Sequence, residues 1–190
     1  MKGHPHIARA PVSRTSYNLL MTDRDPIAAA HAQWISHGWS DAADGMALVT
    51  SVVRAQQLLH ERVEVTLRPH GLTFARYEIL RLLAFSRQRS MPMSRLGSLL
   101  QVHATSVTSA VARLETQGLV ERLRRESDRR VVLASLTAAG EELVERATRD
   151  LNEQVFSSPG LDATQVRDAT RLMSALRAMH GDVVADVTGA

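Results

Sequence analysis

The sequence predicts a mainly α-helical protein with one small β-hairpin, and three observations carry that prediction. Ala, Leu, Val and Arg dominate the 190 residues while aromatics make up only 4%, a mixture that favours helices over a sandwich or barrel. Apolar residues recur at helical spacings, as in Met46, Val49, Val53, Leu59 and Val63, or Val166, Ala169, Leu172 and Leu176. Between residues 119 and 136 that period gives way to strand-formers, Val120, Leu123, Val131, Val132 and Leu133, split by the polar run from Arg124 to Arg130. That is the pattern of two strands around an exposed tip.

Taken in order, residues 1–24 have no apolar period and read as a flexible basic tail, with four basic side chains against one acid. Asp25 then caps a short helix with Pro26 at its first position, stopping at Gly38. Ser40-Asp41 opens a long helix to about Leu67, ended by Pro69 and Gly71. Thr73 caps a helix over 74–85 that buries Tyr77, Leu80 and Ala84, and 86–92 is a polar, basic joint. Two short helices follow, 93–100 and 104–117, separated by Gln101-Val102-His103 and closed by Gly118. After the hairpin, Thr137 caps a helix running to about Phe156, with Glu141 and Glu142 early, where acids suit the dipole. Ser157-Ser158-Pro159-Gly160 is a turn, and Leu161-Asp162 opens the last helix.

Several function classes are excluded. No run of 18 apolar residues exists to span a membrane, and the start of the chain lacks the apolar stretch of a secretory signal. With no cysteine, disulfides, Cys-ligated zinc and thiol-based oxidant sensing are all ruled out, and the expected compartment is the cytoplasm. There is no Gly-rich phosphate loop, no G-x-S-x-G elbow, and neither H-x-x-x-H nor H-E-x-x-H. His31 and His37 are six apart and fall on opposite faces of a helix. No enzymatic role, no cofactor and no metal is expected. The net charge is only +3, but its distribution is uneven: residues 94–136 hold seven arginines against four acids, and 137–190 hold nine acids against five arginines. A polyanion can exploit that asymmetry.

The stretch from Ser94 to Val111 carries the functional signal. Gly97 supplies the small residue where one helix touches the next, and Leu96, Leu100, Val102, Val107 and Ala110 are inward anchors. The outer face of the second helix offers Ala104, Thr105, Ser106, Thr108, Ser109 and Arg113. Short polar side chains at a helix start suit entry into a major groove. Two ordinary amphipathic helices with a Ser/Thr-rich solvent face would read the same way. The hairpin shifts the balance: Arg122, Arg124, Arg125, Arg129 and Arg130 outnumber Glu121, Glu126 and Asp128. This excess suits phosphates or a narrow minor groove. Helix, helix and basic hairpin is the order of a winged helix-turn-helix.

At this point a family resemblance appears. Gly71-Leu72-Thr73, Val107-Thr108, Arg113-Leu114-Glu115, Gly118-Leu119-Val120-Glu121-Arg122, Asp128-Arg129-Arg130 and Leu136-Thr137-Ala138-Ala139-Gly140 resemble the MarR family in order and spacing over about 45–180. The resemblance implies a homodimer on a pseudo-palindromic double-stranded DNA operator, with Asp128 orienting Arg130 for the minor groove. It further implies DNA binding by residues 69–136 and dimerisation through 25–68 and 137–190. It points to a repressor relieved by a small aromatic or phenolic acid. A constitutive or nucleoid-type DNA-binding protein without an effector is the alternative.

There are departures from the family. His103 precedes the recognition helix where Ser is common, so capping is weaker there, and Ser109 stands where Arg or Lys is frequent. The extra helix around 27–37 resembles a subgroup, some of whose members respond to urate or related aromatic acids. An effector pocket would draw on Trp34, Trp39, His60, Arg62, Arg76, Glu78 and Arg81. Trp34 better suits a plain hydrophobic anchor for the added helix.

Overall fold

The computed structural model describes residues 25–100, 103–125 and 128–185. The basic tail (1–24), Val102, Glu126 and Ser127 lie outside that set, as do the side chains of Ala104, Arg125 and Arg129. The described chain forms two units that meet within one long helix, at Leu58 and Leu59.

In the first unit, α1 (Pro26–Ser36) starts as its sequence requires: the Asp25 carboxylate accepts the Ile27 N–H at 3.0 Å, with proline at the start of the helix. The helix α2 (Ser40–Leu67) begins four residues after α1 ends. The two are joined by a His31 Nε2–Asp44 Oδ1 contact of 2.8 Å and an edge-to-face pair of Trp34 and Trp39, 5.5 Å between ring centres.

The second unit holds the core. A 3₁₀ turn (Arg68–His70) leads to α3 (Phe74–Phe85), β1 (Ser90–Pro92), α4 (Met93–Leu100), α5 (Ala104–Thr116), β2 (Val120–Arg125), β3 (Asp128–Leu136) and α6 (Ala138–Leu151). A π-helical turn (Asn152–Phe156) and α7 (Ala163–Met179) complete it. Leu67, Ile79, Leu80, Leu83, Leu96, Val107, Val111, Leu114, Val120, Val144 and Leu151 are all essentially inaccessible and form one cluster. The helix α3 contributes the inner row of Tyr77, Leu80 and Leu83 from one side, and Thr73 caps it by accepting the Arg76 N–H. The anchors of the helix-turn-helix are confirmed at Leu96 and Val107, with Leu100 and Ala110 packed partly buried against the core.

Two elements differ from the sequence expectation. Residues 90–92 are a strand rather than part of a joint, so the hairpin becomes a three-stranded antiparallel sheet of order β1-β3-β2. Three residues carry no readable alternation; the strand exists because β3 offers partners, pairing Met91 with Ala134 and Ser90 with Ser135. Pro92 is tolerated because β1 is an edge. The helix expected to reach Phe156 also changes character at Leu151 and widens into the π turn, with Ser157 N–H bonded to the Asn152 carbonyl at 2.9 Å. There the Arg62 guanidinium takes the carbonyls of Gln154 (2.7 Å) and Ser158 (2.9 Å), rewarding a backbone that leaves them free.

The end of α5, the sheet and the start of α6 are tied at one point. Gly118 ends α5 at φ +71°, with its N–H on the Glu115 carbonyl and the Leu119 N–H on the Leu114 carbonyl, both at 2.9 Å. The Thr137 hydroxyl donates to the Gly118 carbonyl at 2.8 Å and accepts the Gly140 N–H at 3.0 Å. Gly140 lies so close that a β-carbon there would land on the Leu119 carbonyl oxygen. Gly140→Ala is therefore expected to lower unfolding free energy by about 1–3 kcal/mol. Urea unfolding checks this, and a stability within about 0.5 kcal/mol of wild type would show that the approach yields at no cost.

Candidate nucleic-acid interface

The helix α5 is built to be read from outside. Val107, Val111 and Leu114 bury its inner face, and that leaves Thr105, Ser106, Thr108, Ser109 and Arg113 exposed on the other. At its start His103 makes no side-chain capping bond, in line with the residue type.

The exposed helix is a ridge between two grooves. On one side lies a groove of about 540 Å³ lined by Thr73, Arg76, Thr105, Ser106, Ser109, Ala110 and Arg113. On the other, one of about 430 Å³ is lined by Pro92, Met93, Ser94, Thr108, Arg122, Arg130, Val131 and Val132. Each groove carries two arginines beside hydroxyls. A helix entering a major groove meets a phosphate backbone on either flank, so cations on both sides of the ridge match that target.

The wing carries a second basic surface. At its tip the Asp128 carboxylate accepts the Arg130 N–H at 3.0 Å and stands 3.5 Å from the Arg130 Nε, while the Arg130 side chain is 95% exposed. The acid thus lies beside a solvent-facing guanidinium. Arg124 is also exposed. Arg122, counted with them from sequence, is engaged otherwise: its Nη2 donates to the Thr108 carbonyl at 3.2 Å and its Nε lies 3.2 Å from the Glu115 carboxylate. Sequence reasoning did not single out Met93, which lines the second groove beside Ser94 at a helix start.

Among the residues picked for an effector pocket, those of the second unit are each held by different partners. Trp34 belongs to the first unit, beside Trp39. His60 stands 3.9 Å from Glu64, whose carboxylate accepts the Phe74 N–H. Arg62 holds the π turn. Arg81 is largely buried against α6, paired with Glu145 at 2.8 Å, bonded to the Val144 carbonyl at 3.0 Å and the Thr148 hydroxyl, and set over the Phe85 ring. The hydrogen bond from Arg81 holds the Glu145 carboxyl below the ordinary carboxylate range, and burial raises that of Glu78. Arg76 bonds Thr73 and Gln117 and lines the first groove beside α5.

A recognition helix standing proud between basic grooves, with an arginine-tipped wing on the same sheet, defines a DNA-binding protein of the winged helix-turn-helix class. Comparison with known proteins narrows the class. The model of the MarR family matches residues 72–132, from the start of α3 into the wing. The chain is similar to the MarR family transcriptional regulator Sco5413 of Streptomyces coelicolor: 42% identity, 75% of this chain and 99% of that one, TM-score 0.67. It also resembles Sco3205 of the same organism, solved in complex with DNA, at 26% identity, covering 77% and 93%, with a TM-score of 0.65. Among curated proteins it is 34% identical over 85 residues to the HTH-type transcriptional regulator YhbI of Bacillus subtilis, a match spanning 45% of this chain and 54% of that protein. The homoprotocatechuate degradative operon repressor of Escherichia coli is 27% identical over 143 residues, 75% of this chain and 95% of the repressor. The chain belongs to the MarR family of transcriptional regulators.

Two classes of DNA-contact variant should separate in gel-shift titrations over a salt series. Arg130→Ala is expected to weaken binding to every duplex and to reduce the salt slope by about one. Thr108→Ala and Ser109→Ala should change base preference instead, by about 1–3 kcal/mol wherever the hydroxyl meets a base edge. An unchanged affinity and slope for Arg130→Ala would remove the wing from the interface.

Proposed function

We propose that the protein binds a pseudo-palindromic operator as a homodimer and represses transcription until a small aromatic acid releases it. The observation that carries the DNA-binding part is the exposed hydroxyl face of α5 between two arginine-lined grooves, with the solvent-facing Arg130 guanidinium beside Asp128 on the wing. The dimer is supported by unburied apolar side chains outside the DNA-binding lobe. On α2 these are Leu48, Val49, Val53 and Val65, and on α7 Leu172, Met173, Leu176 and Met179. Long helices exposing such rows normally bury them against another chain.

The effector class is supported by the family and by its homoprotocatechuate operon repressor. Of the residues considered for an effector pocket, Arg76 is the one proposed to meet the carboxylate, because it borders an open groove together with Arg113. A ligand there would also occlude the recognition face. The internal engagement of Arg62 and Arg81 favours, as a second reading, a constitutive DNA-binding protein without an effector.

Footprinting on duplexes selected from a random pool is expected to show two protected half-sites, related by a dyad, about 10–10.5 base pairs apart. Protection of one asymmetric half-site by a monomer would overturn the dimer. Salicylate and urate, titrated into the complex, are expected to release the DNA. Trp34 and Trp39, the only two tryptophans, report in the same samples by fluorescence. A complex that survives millimolar concentrations of both acids would establish the constitutive reading instead.

A further inference from the structure

Wing and recognition helix must enter neighbouring grooves of one duplex together, so their separation has to be fixed before DNA arrives. The residues of β2 alternate between two faces, and Val120, Arg122 and Arg124 share one of them. Along that row Val120 is buried, Arg122 is half-buried and Arg124 is exposed. Arg122, paired with Ala134 on β3, thus stands where the wing leaves the core. Its guanidinium reaches α5 at two places: the Thr108 carbonyl (3.2 Å) and the Glu115 carboxylate (3.2 Å), the latter an ionic contact without an aligned hydrogen bond.

Thr108 and Glu115 are seven residues apart, two helical turns, on one stripe of the helix. A carbonyl points toward the C-terminus of its helix and a side chain leans toward the N-terminus. One planar fork can therefore reach both, and a lysine cannot. Thr108 itself is part of the exposed recognition face, so the brace holds a residue that meets DNA.

We propose that Arg122 is a positioning residue that fixes the distance and angle between wing and recognition helix, and that it sets sequence specificity through Glu115 rather than by contacting phosphate. This rests on the DNA-binding reading above. On this view the five arginines counted at the wing divide into a brace at its base and cations nearer the tip.

The test compares wild type, Arg122→Ala, Arg122→Lys and Glu115→Ala on the duplex that wild type selects and on a scrambled one, across a salt series. If wild type shows no preference for its selected duplex, the DNA-binding reading itself fails, whatever the variants do. Given that preference, the brace predicts that Arg122→Ala and Glu115→Ala each lower the specific-to-scrambled ratio by about tenfold. Arg122→Lys should behave like Arg122→Ala, and salt slopes should stay at the wild-type value. A phosphate contact predicts the opposite pattern: a slope reduced by about one for Arg122→Ala, near-normal binding for Arg122→Lys, and tighter binding for Glu115→Ala because an acid has been removed. The Glu115 result decides the matter even if Arg122→Ala folds poorly, since the two roles give it opposite signs.

Discussion

The Thr137 hydroxyl sits where three elements converge, and the geometry of the DNA-binding lobe hangs on that convergence. It closes the end of α5 through the Gly118 carbonyl and opens α6 through the Gly140 N–H. The strand β3 ends in the residue just before it. The contact is possible only because Gly140 has no side chain to collide with Leu119. A side chain of any size there would push α6 away from the recognition helix. The Thr-x-x-Gly spacing is thus a steric demand of the fold, and it also satisfies a helix N-terminus that would otherwise leave donors unpaired.

Charge acts on top of that frame. The arginines of the interface divide into those that meet solvent and those that meet protein, and only the first group can release counterions from DNA. Arg113, Arg124 and Arg130 are exposed, whereas Arg122 is turned inward to the Glu115 carboxylate on α5. The excess of acids in residues 137–190 sets that region apart in charge from the basic segment 94–136.

Much of this was legible in the sequence, because the signals are local. Asp25, Thr73 and Thr137 cap where their side chains say they should, and the limits of α3 follow from Thr73 and the apolar row behind it. The exposed face of α5 was readable from spacing alone. What escaped was set by partners distant in sequence. The strand β1 exists through pairing with residues more than forty positions away, and the π turn is rewarded by Arg62, some ninety positions before it. Composition at 119–130 showed an arginine excess but not which arginine faces inward. That choice depends on the register of β2 against β3 and on Glu115 lying opposite. The arginines considered for a pocket show the same dependence: Arg62 and Arg81 are taken up by a carbonyl or an acid in reach, whereas Arg76 borders an open groove.

Between α3 and α6 a polar network constrains how the lobe can move. Arg81, itself largely buried, is joined to the exposed Glu145 and to Val144 and Thr148, and the Tyr77 hydroxyl lies 3.1 Å from the Thr148 hydroxyl, so the two helices share a set of polar partners. Parting α3 from α6 would break the Arg81 bonds to Val144 and Thr148 together with its ion pair to Glu145, so the network ties together two helices that flank the core. On the proposed function, a ligand in the groove beside Arg76 and Arg113 would cover the face of α5 and leave that network intact, binding the free protein but not the complex.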